Sequence, residues 1–205
     1  MALMMTATLF IIAAYLLGSV SFAVVVCKLS GLPDPHSYGS GNPGATNVLR
    51  TGNKSAALFT LLGDAAKGWF AVWIALKFAD EFQLDTATIA VIAIAVFLGH
   101  LYPIFHRFRG GKGVATALGV LLALNPWMGL CVFATWIMVF LFTRISSLAA
   151  LIAAIASPFI SLYFFGYNPI FITVVVMALL LIWRHRKNIY NLRTGTEGQI
   201  GKGKV

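Results

Sequence analysis

A chain of 205 residues that is 60% hydrophobic and only 10% charged carries more apolar surface than one globular core can hide, so the solvent for most of it is lipid. Its net charge of +9 lies in short clusters beside apolar runs, at Lys28, Arg50–Lys54, Arg107–Lys112, Arg144 and Arg184–Lys187. That is the flanking pattern of cytoplasmic loops, and it excludes the continuous basic face of a nucleic-acid binder. No polar stretch is long enough for a second domain, which leaves a single integral membrane domain over 1–205.

The first apolar run, Ala2–Val26, has no charge and no basic region before it, so it reads as a retained helix and not as a cleaved signal. The longest polar loop, 28–54, follows it. Six further apolar segments come after: Ser55–Leu76, Thr86–Phe105, Val114–Leu124, Trp127–Thr143, Leu148–Phe165 and Pro169–Trp183. The predicted fold is therefore all-α and polytopic, with seven short transmembrane helices. Val114–Leu124 falls well below the roughly 20 residues a span requires, and charge decides its place. With seven crossings and a periplasmic N-terminus, loop 28–54, loop 106–113, Arg144 and the tail 184–205 all face the cytoplasm. Ala79–Asp85, which holds acids but no Lys or Arg, faces out. One crossing fewer would drive the basic tail to the outer side. Trp127, Tyr167 and Trp183 fall at predicted helix ends, where interfacial aromatics belong. The tail Asn191–Val205 is expected to fray. Cys27 and Cys131 sit in apolar runs and read as small hydrophobes.

Three polar stretches interrupt this pattern. The first is YGSGNPGATNVLR, Tyr38–Arg50. Gly39, Gly41 and Gly44 permit positive φ, so that backbone N–H groups can converge on an anion. Ser40, Asn42, Thr46 and Asn47 add neutral donors, and Arg50 adds a fork suited to phosphate. A plain linker needs none of these at fixed offsets. The second stretch is GDAAKG, Gly63–Gly68, inside an apolar helix. Asp64 and Lys67 stand three apart and share a face; a charged pair in a span marks either a functional site or a structural ion pair.

The third stretch is GHLYPIFHRFRGGKGVAT, Gly99–Thr116. Gly110, Gly111 and Gly113 surround Lys112 and lead into a helix, a combination that presents N–H groups and a positive dipole end to phosphate. It is not a Walker A loop, because the leading glycine is missing and Gly113 stands where Ser or Thr would. His100 is either a helix-packing donor or a direct participant. Near the end of the chain, His185 and Asn188 are three apart, neutral, and not required by charge topology. No G-x-S-x-G elbow, no His followed four residues later by Asp, and no carboxylate cluster for a metal is present, so no metal or cofactor is expected.

Together, residues 39–50, 63–68 and 99–116 resemble the three signature blocks of the bacterial PlsY family of membrane glycerol-3-phosphate acyltransferases, whose usual donor is acyl phosphate. The resemblance extends to the length of the chain, the seven-helix layout and the late His185–Asn188 pair. It implies transfer of a fatty acyl group to the sn-1 hydroxyl of glycerol 3-phosphate, giving lysophosphatidate in phospholipid synthesis at the bacterial inner membrane. Ser40, Asn42 and Arg50 match site positions of the first block, Lys112 the lysine of the third, and His185 and Asn188 the C-terminal pair. Acyl-acyl carrier protein or acyl-CoA would use the same acyl chemistry, and a basic cytoplasmic face suits an acidic carrier protein as well as lipid headgroups. A small transporter or flippase for an anionic solute is the competing reading, and Asp64–Lys67 inside a span would fit it.

Overall fold

The computed structural model describes residues 2–201, and among these every regular element is a helix. Two compact units divide the chain, Met1–Asn125 and Pro126–Val205.

The first unit contains α1 (Ala2–Gly18), α2 (Phe22–Leu29), α3 (Ala45–Val48), α4 (Lys54–Lys77), α5 (Thr86–Leu101) and α6 (Val114–Leu124). The first apolar run, expected as one helix, breaks at Ser19–Ser21 and bends by 44° between α1 and α2. Local chemistry supports the break: the Ser19 hydroxyl turns back onto the Tyr15 carbonyl at 2.9 Å, and Ser21 accepts from Val24 N to cap α2. Apolar burial alone gives little drive for helix association in lipid, so close backbone approach at small residues matters more. Gly99 of α5 lies against the Tyr15 carbonyl and Gly18 of α1, and any Cβ there would collide with them. Gly119 of α6 meets the Ala65 carbonyl of α4 in the same way, and Gly68 of α4 meets the Thr116 carbonyl. Asn53 and Asp85 cap the starts of α4 and α5 by accepting from Ala56 N and Thr88 N. The Thr88 hydroxyl and backbone N–H hold the Asp85 carboxyl below its ordinary range.

In the second unit, α8 (Ser146–Phe165) packs against both α7 (Pro126–Thr143) and α9 (Pro169–Arg184). Asn168 caps α9 by accepting from Phe171 N, with Pro169 in the first turn where its missing N–H costs nothing. At His185 the chain bends by 58° into α10 (Arg186–Arg193). The tail does not fray where the sequence predicts. α10 continues through Asn191 to Arg193, and the chain then returns so that Ile200 N donates to the Arg144 carbonyl at 2.9 Å. The last part of the expected frayed tail, 202–205, lies outside the described residues. Trp127, Tyr167 and Trp183 are exposed at helix ends, as interfacial residues are.

By length and apolarity, 4 helices can cross a bilayer, or up to 6 if each bent pair forms one span. The remaining predicted span, α6, has 11 residues, which at about 1.5 Å each falls short of a hydrocarbon core about 30 Å thick.

Candidate active site

The first block is a folded loop with one organising side chain. Asn47, only 2% exposed, accepts from both Ser40 N (2.9 Å) and Ser40 Oγ (3.2 Å) through its Oδ1. Its Nδ2 donates to the carbonyls of Pro35 (2.9 Å) and Tyr38 (3.2 Å). All of the amide's main donor and acceptor directions are thereby spent inside the protein. Asn47, expected among the substrate donors, is instead the hub that shapes the loop around Ser40. Gly39 at φ +57° is required there, because a Cβ would collide with Asn47 Oδ1 and crowd Arg50. Gly44 does not use the positive φ expected of it; at φ −166° it is extended backbone ahead of α3. Ser40, Thr46 and Arg50 are exposed and Asn42 half-buried, so this face of the loop is open to a ligand. Beneath it, Tyr38 OH lies 3.7 Å from the buried Cys27 Sγ. Burial first, and Cys27 second, push the Tyr38 phenol up to about 12.

The third block returns to the first. A Cβ on Gly111 would stand 3.1 Å from the Pro43 carbonyl and would collide with His100 Nε2, and one on Gly110 would collide with the His100 carbonyl. These two glycines are therefore there for close packing against the end of α5. The Gly111 N–H is already given to the His100 carbonyl at 3.1 Å, so it is not one of the free phosphate donors the sequence predicts. Gly113, at φ +89° and packed on the Phe97 ring, turns the chain into α6 with no side-chain cap. The half-buried Lys112 stands at this turn, beside the positive end of α6. Thr116, in the first turn of α6, is fully buried, and its hydroxyl has no hydrogen-bond partner among the described residues.

The second block lies in the interior. Asp64, Lys67 and His100 are 2%, 3% and 7% exposed. Lys67 Nζ is 2.8 Å from Asp64 Oδ1 and donates to the Val20 carbonyl at 2.7 Å, and His100 Nδ1 stands 3.5 Å from the same carboxylate oxygen. Lys67 thus takes a carbonyl at the break between α1 and α2, and Asp64 links it to the His100 that packs under Gly111. Gly63 accommodates the Phe22 ring and Gly68 the backbone of α6. In this geometry Asp64, Lys67 and His100, expected as substrate contacts, lie in the interior and bond to one another and to the α1–α2 break. The arrangement also removes the main support for a transporter, since the intramembrane pair is occupied in joining helices.

In the second unit, His185 is 2% exposed, and its Nδ1 faces the Leu181 carbonyl at 2.8 Å, which fixes the proton on that nitrogen. Asn188 donates to Glu197 Oε1 at 2.6 Å, as does the Ser147 hydroxyl at 2.6 Å, while Asn191 donates to Oε2 at 3.1 Å. Sequence reasoning missed Glu197, because it falls in a glycine-rich tail with no periodicity. A single acid among basic residues was its only signal.

Comparison with known proteins bears on family and fold. The profile of the glycerol-3-phosphate acyltransferase family matches residues 8–195. The chain is 61% identical over 196 residues to a glycerol-3-phosphate acyltransferase of Cupriavidus pinatubonensis, covering 96% of this chain and 97% of that one. It is 57% identical over 204 residues to that of Ralstonia nicotianae, covering 100% and 99%. Crystal structures of PlsY (YgiH), an integral membrane glycerol 3-phosphate acyltransferase, superpose with TM-scores of 0.89 for the glycerol 3-phosphate form and 0.86 for the lysophosphatidic acid form. They are 39% and 40% identical, and in each case 96% of both chains is covered. The fold and these relatives thus define an integral membrane acyltransferase. The chain belongs to the glycerol-3-phosphate acyltransferase family, as its three sequence blocks indicate.

Proposed function

We propose that the chain moves a fatty acyl group from acyl phosphate to the sn-1 hydroxyl of glycerol 3-phosphate, giving lysophosphatidate and inorganic phosphate. The observation that carries the proposal is the meeting of the first and third blocks, with the Pro43 carbonyl against Gly111, in a chain of this family. Two segments that each suit a phosphate are thereby held side by side, and the reaction has two phosphates to hold.

In this reading the hydroxyl oxygen of glycerol 3-phosphate attacks the acyl carbonyl carbon. The bond from that carbon to the phosphate oxygen breaks, and the hydroxyl proton leaves with the phosphate. An acyl phosphate is already activated, so the protein chiefly positions two anions and steadies the oxyanion. Lys112 and Arg50 hold phosphate charge. Ser40 and Asn42 donate to the carbonyl oxygen as it becomes negative; the Ser40 hydroxyl's bond to Asn47, 3.2 Å long, lies beyond the usual O–H···O range and is readily exchanged. By resemblance to the family's late pair, His185 and Asn188 are assigned to orienting the attacking hydroxyl. Gly39, Gly41 and Thr46 shape and line the acceptor loop, and membrane lipids surround the single domain.

The placing of the basic clusters supports seven crossings with the N-terminus periplasmic, α6 being the short seventh, and a site on the cytoplasmic side of the bacterial inner membrane. The test is direct. Purified protein in detergent receives glycerol 3-phosphate with acyl phosphate, acyl-acyl carrier protein or acyl-CoA in turn. Acyl phosphate should give the 1-acyl product. Product only from a thioester would overturn the donor assignment, and a 2-acyl product the regiochemistry.

A further inference from the structure

One side chain outside the groups placed so far reaches from the first block to the third. His36 Nδ1 lies 2.7 Å from Asp34 Oδ1, and its Nε2 lies 3.0 Å from the Arg109 carbonyl oxygen, 73 residues away. Both partners are acceptors. A carbonyl has no hydrogen to give, and Asp34 is held ionised below the ordinary carboxylate range, first by the His36 backbone N–H and then by its ring. Neutral imidazole owns one N–H and one lone pair, so it satisfies one acceptor and turns a lone pair on the other. Only imidazolium donates to both.

Each end of this bridge is tied to an anion-holding segment. On the near side, the adjacent Pro35 carbonyl is held by Asn47 Nδ2, the hub of the Ser40 loop. On the far side, Arg109 immediately precedes the Gly110–Gly113 turn and Lys112. The Arg109 carbonyl is presented by an unusual turn: Arg107 and Phe108 are consecutive non-glycine residues at φ +51° and +60°. Phe108 N→Pro103 O (2.9 Å) and Arg109 N→His106 O (3.0 Å) close it. Such a backbone persists where its surroundings hold it, and His36 supplies one of those holds. The titratable groups that meet the ring are Asp34 on its own loop and His106 on the opposing segment. The His36 and His106 rings stand 6.2 Å apart.

We infer that His36, in its protonated form, is a positioning residue that clasps the Ser40 loop to the Arg109–Gly113 turn and so sets the spacing of the two phosphate-holding segments. Its bearing on turnover rests on the acyl-transfer reading above, whereas the clasp itself does not. A side chain that reaches only one of the two acceptors leaves the clasp with a single bond, the turn loosens and glycerol 3-phosphate is held less well.

The experiment compares the full-length wild-type protein with His36→Arg, which keeps a permanent positive charge and several donors, and with His36→Gln, which cannot carry the charge. Hydrogen–deuterium exchange of the 107–113 peptide, corrected for intrinsic rate, is read for all three proteins at one pH. The wild-type turn should be protected about three- to tenfold over that of His36→Gln, the weight of one hydrogen bond. His36→Arg should stay protected like the wild type. KM for glycerol 3-phosphate should follow the same pattern, with kcat changed less. A His36→Gln turn as protected as wild type, or a His36→Arg turn as open as that of His36→Gln, would overturn the clasp. Matching exchange with no acyl product from any donor would leave the clasp standing and remove the acyl-transfer reading instead.

Discussion

The Ser40 loop and the middle of α4 both carry polar residues of the kind that invite a functional reading in a membrane chain, and the fold uses them in opposite ways. In the loop, one buried amide, Asn47, takes up the local hydrogen bonds and leaves Ser40 and Arg50 on the surface. In α4, the polar groups themselves are the ones buried, and Asp64 and Lys67 are spent on each other, on Val20 and on His100. The lesson is one of capacity. Buried polar groups here hold elements together, while the exposed polar ends of the loop are the ones left for the proposed substrate contacts.

Four substitutions test that division, taken from the largest effect to the smallest. Lys112→Ala should lower kcat/KM on the order of 10²–10³-fold while leaving thermal unfolding in detergent close to wild type, as removal of an anion-holding group does; near-normal turnover would take Lys112 out of the site. Asp64→Leu should do the reverse. It leaves a buried lysine uncompensated, costing about 3–5 kcal/mol of stability, read as a lower unfolding midpoint in detergent. The double variant Asp64→Leu/Lys67→Met should recover much of that loss, and if it does not, the pair is more than a tie between helices. Asn47→Ala should lie between these two cases, with a loss of about 1–3 kcal/mol of loop order and a fall on the order of tenfold in kcat/KM that tracks Ser40. Tyr38→Phe should change activity less than about twofold. In the wild type, the alkaline absorbance change of this tyrosine should come near pH 12, since burial and Cys27 raise its phenol to about 12; a midpoint near the ordinary tyrosine value would mean that the loop lies open above Cys27.

The sequence made the helices legible because apolar runs in lipid have few other structures open to them. α6 begins and ends where predicted, and α7, α8 and α9 come within two residues of it. The break at Ser19–Ser21 was not legible, since one of its ties comes from a lysine on another helix, and neither was the return of the tail, since Glu197 meets Ser147 and Asn188 there. In the site, glycines and polar residues could be located but not sorted. Gly39 is needed for its backbone angle, Gly110 and Gly111 for close approach, and Gly44 not for a positive φ. These distinctions depend on what lies opposite, and single-chain spacing carries no record of that. His36 was invisible for the same reason, its far partner being 73 residues away.

The hydrogen bond from Lys67 to the Val20 carbonyl spans 47 residues of chain. At a synthesis rate of about 5–20 residues per second, roughly two to nine seconds separate the emergence of the two partners from the ribosome. During that interval the bent geometry of the opening segment lacks the ammonium group that holds it. The bend therefore gains its long-range tie late, on docking of α4, and until then only the local contacts of Ser19 and Ser21 hold it.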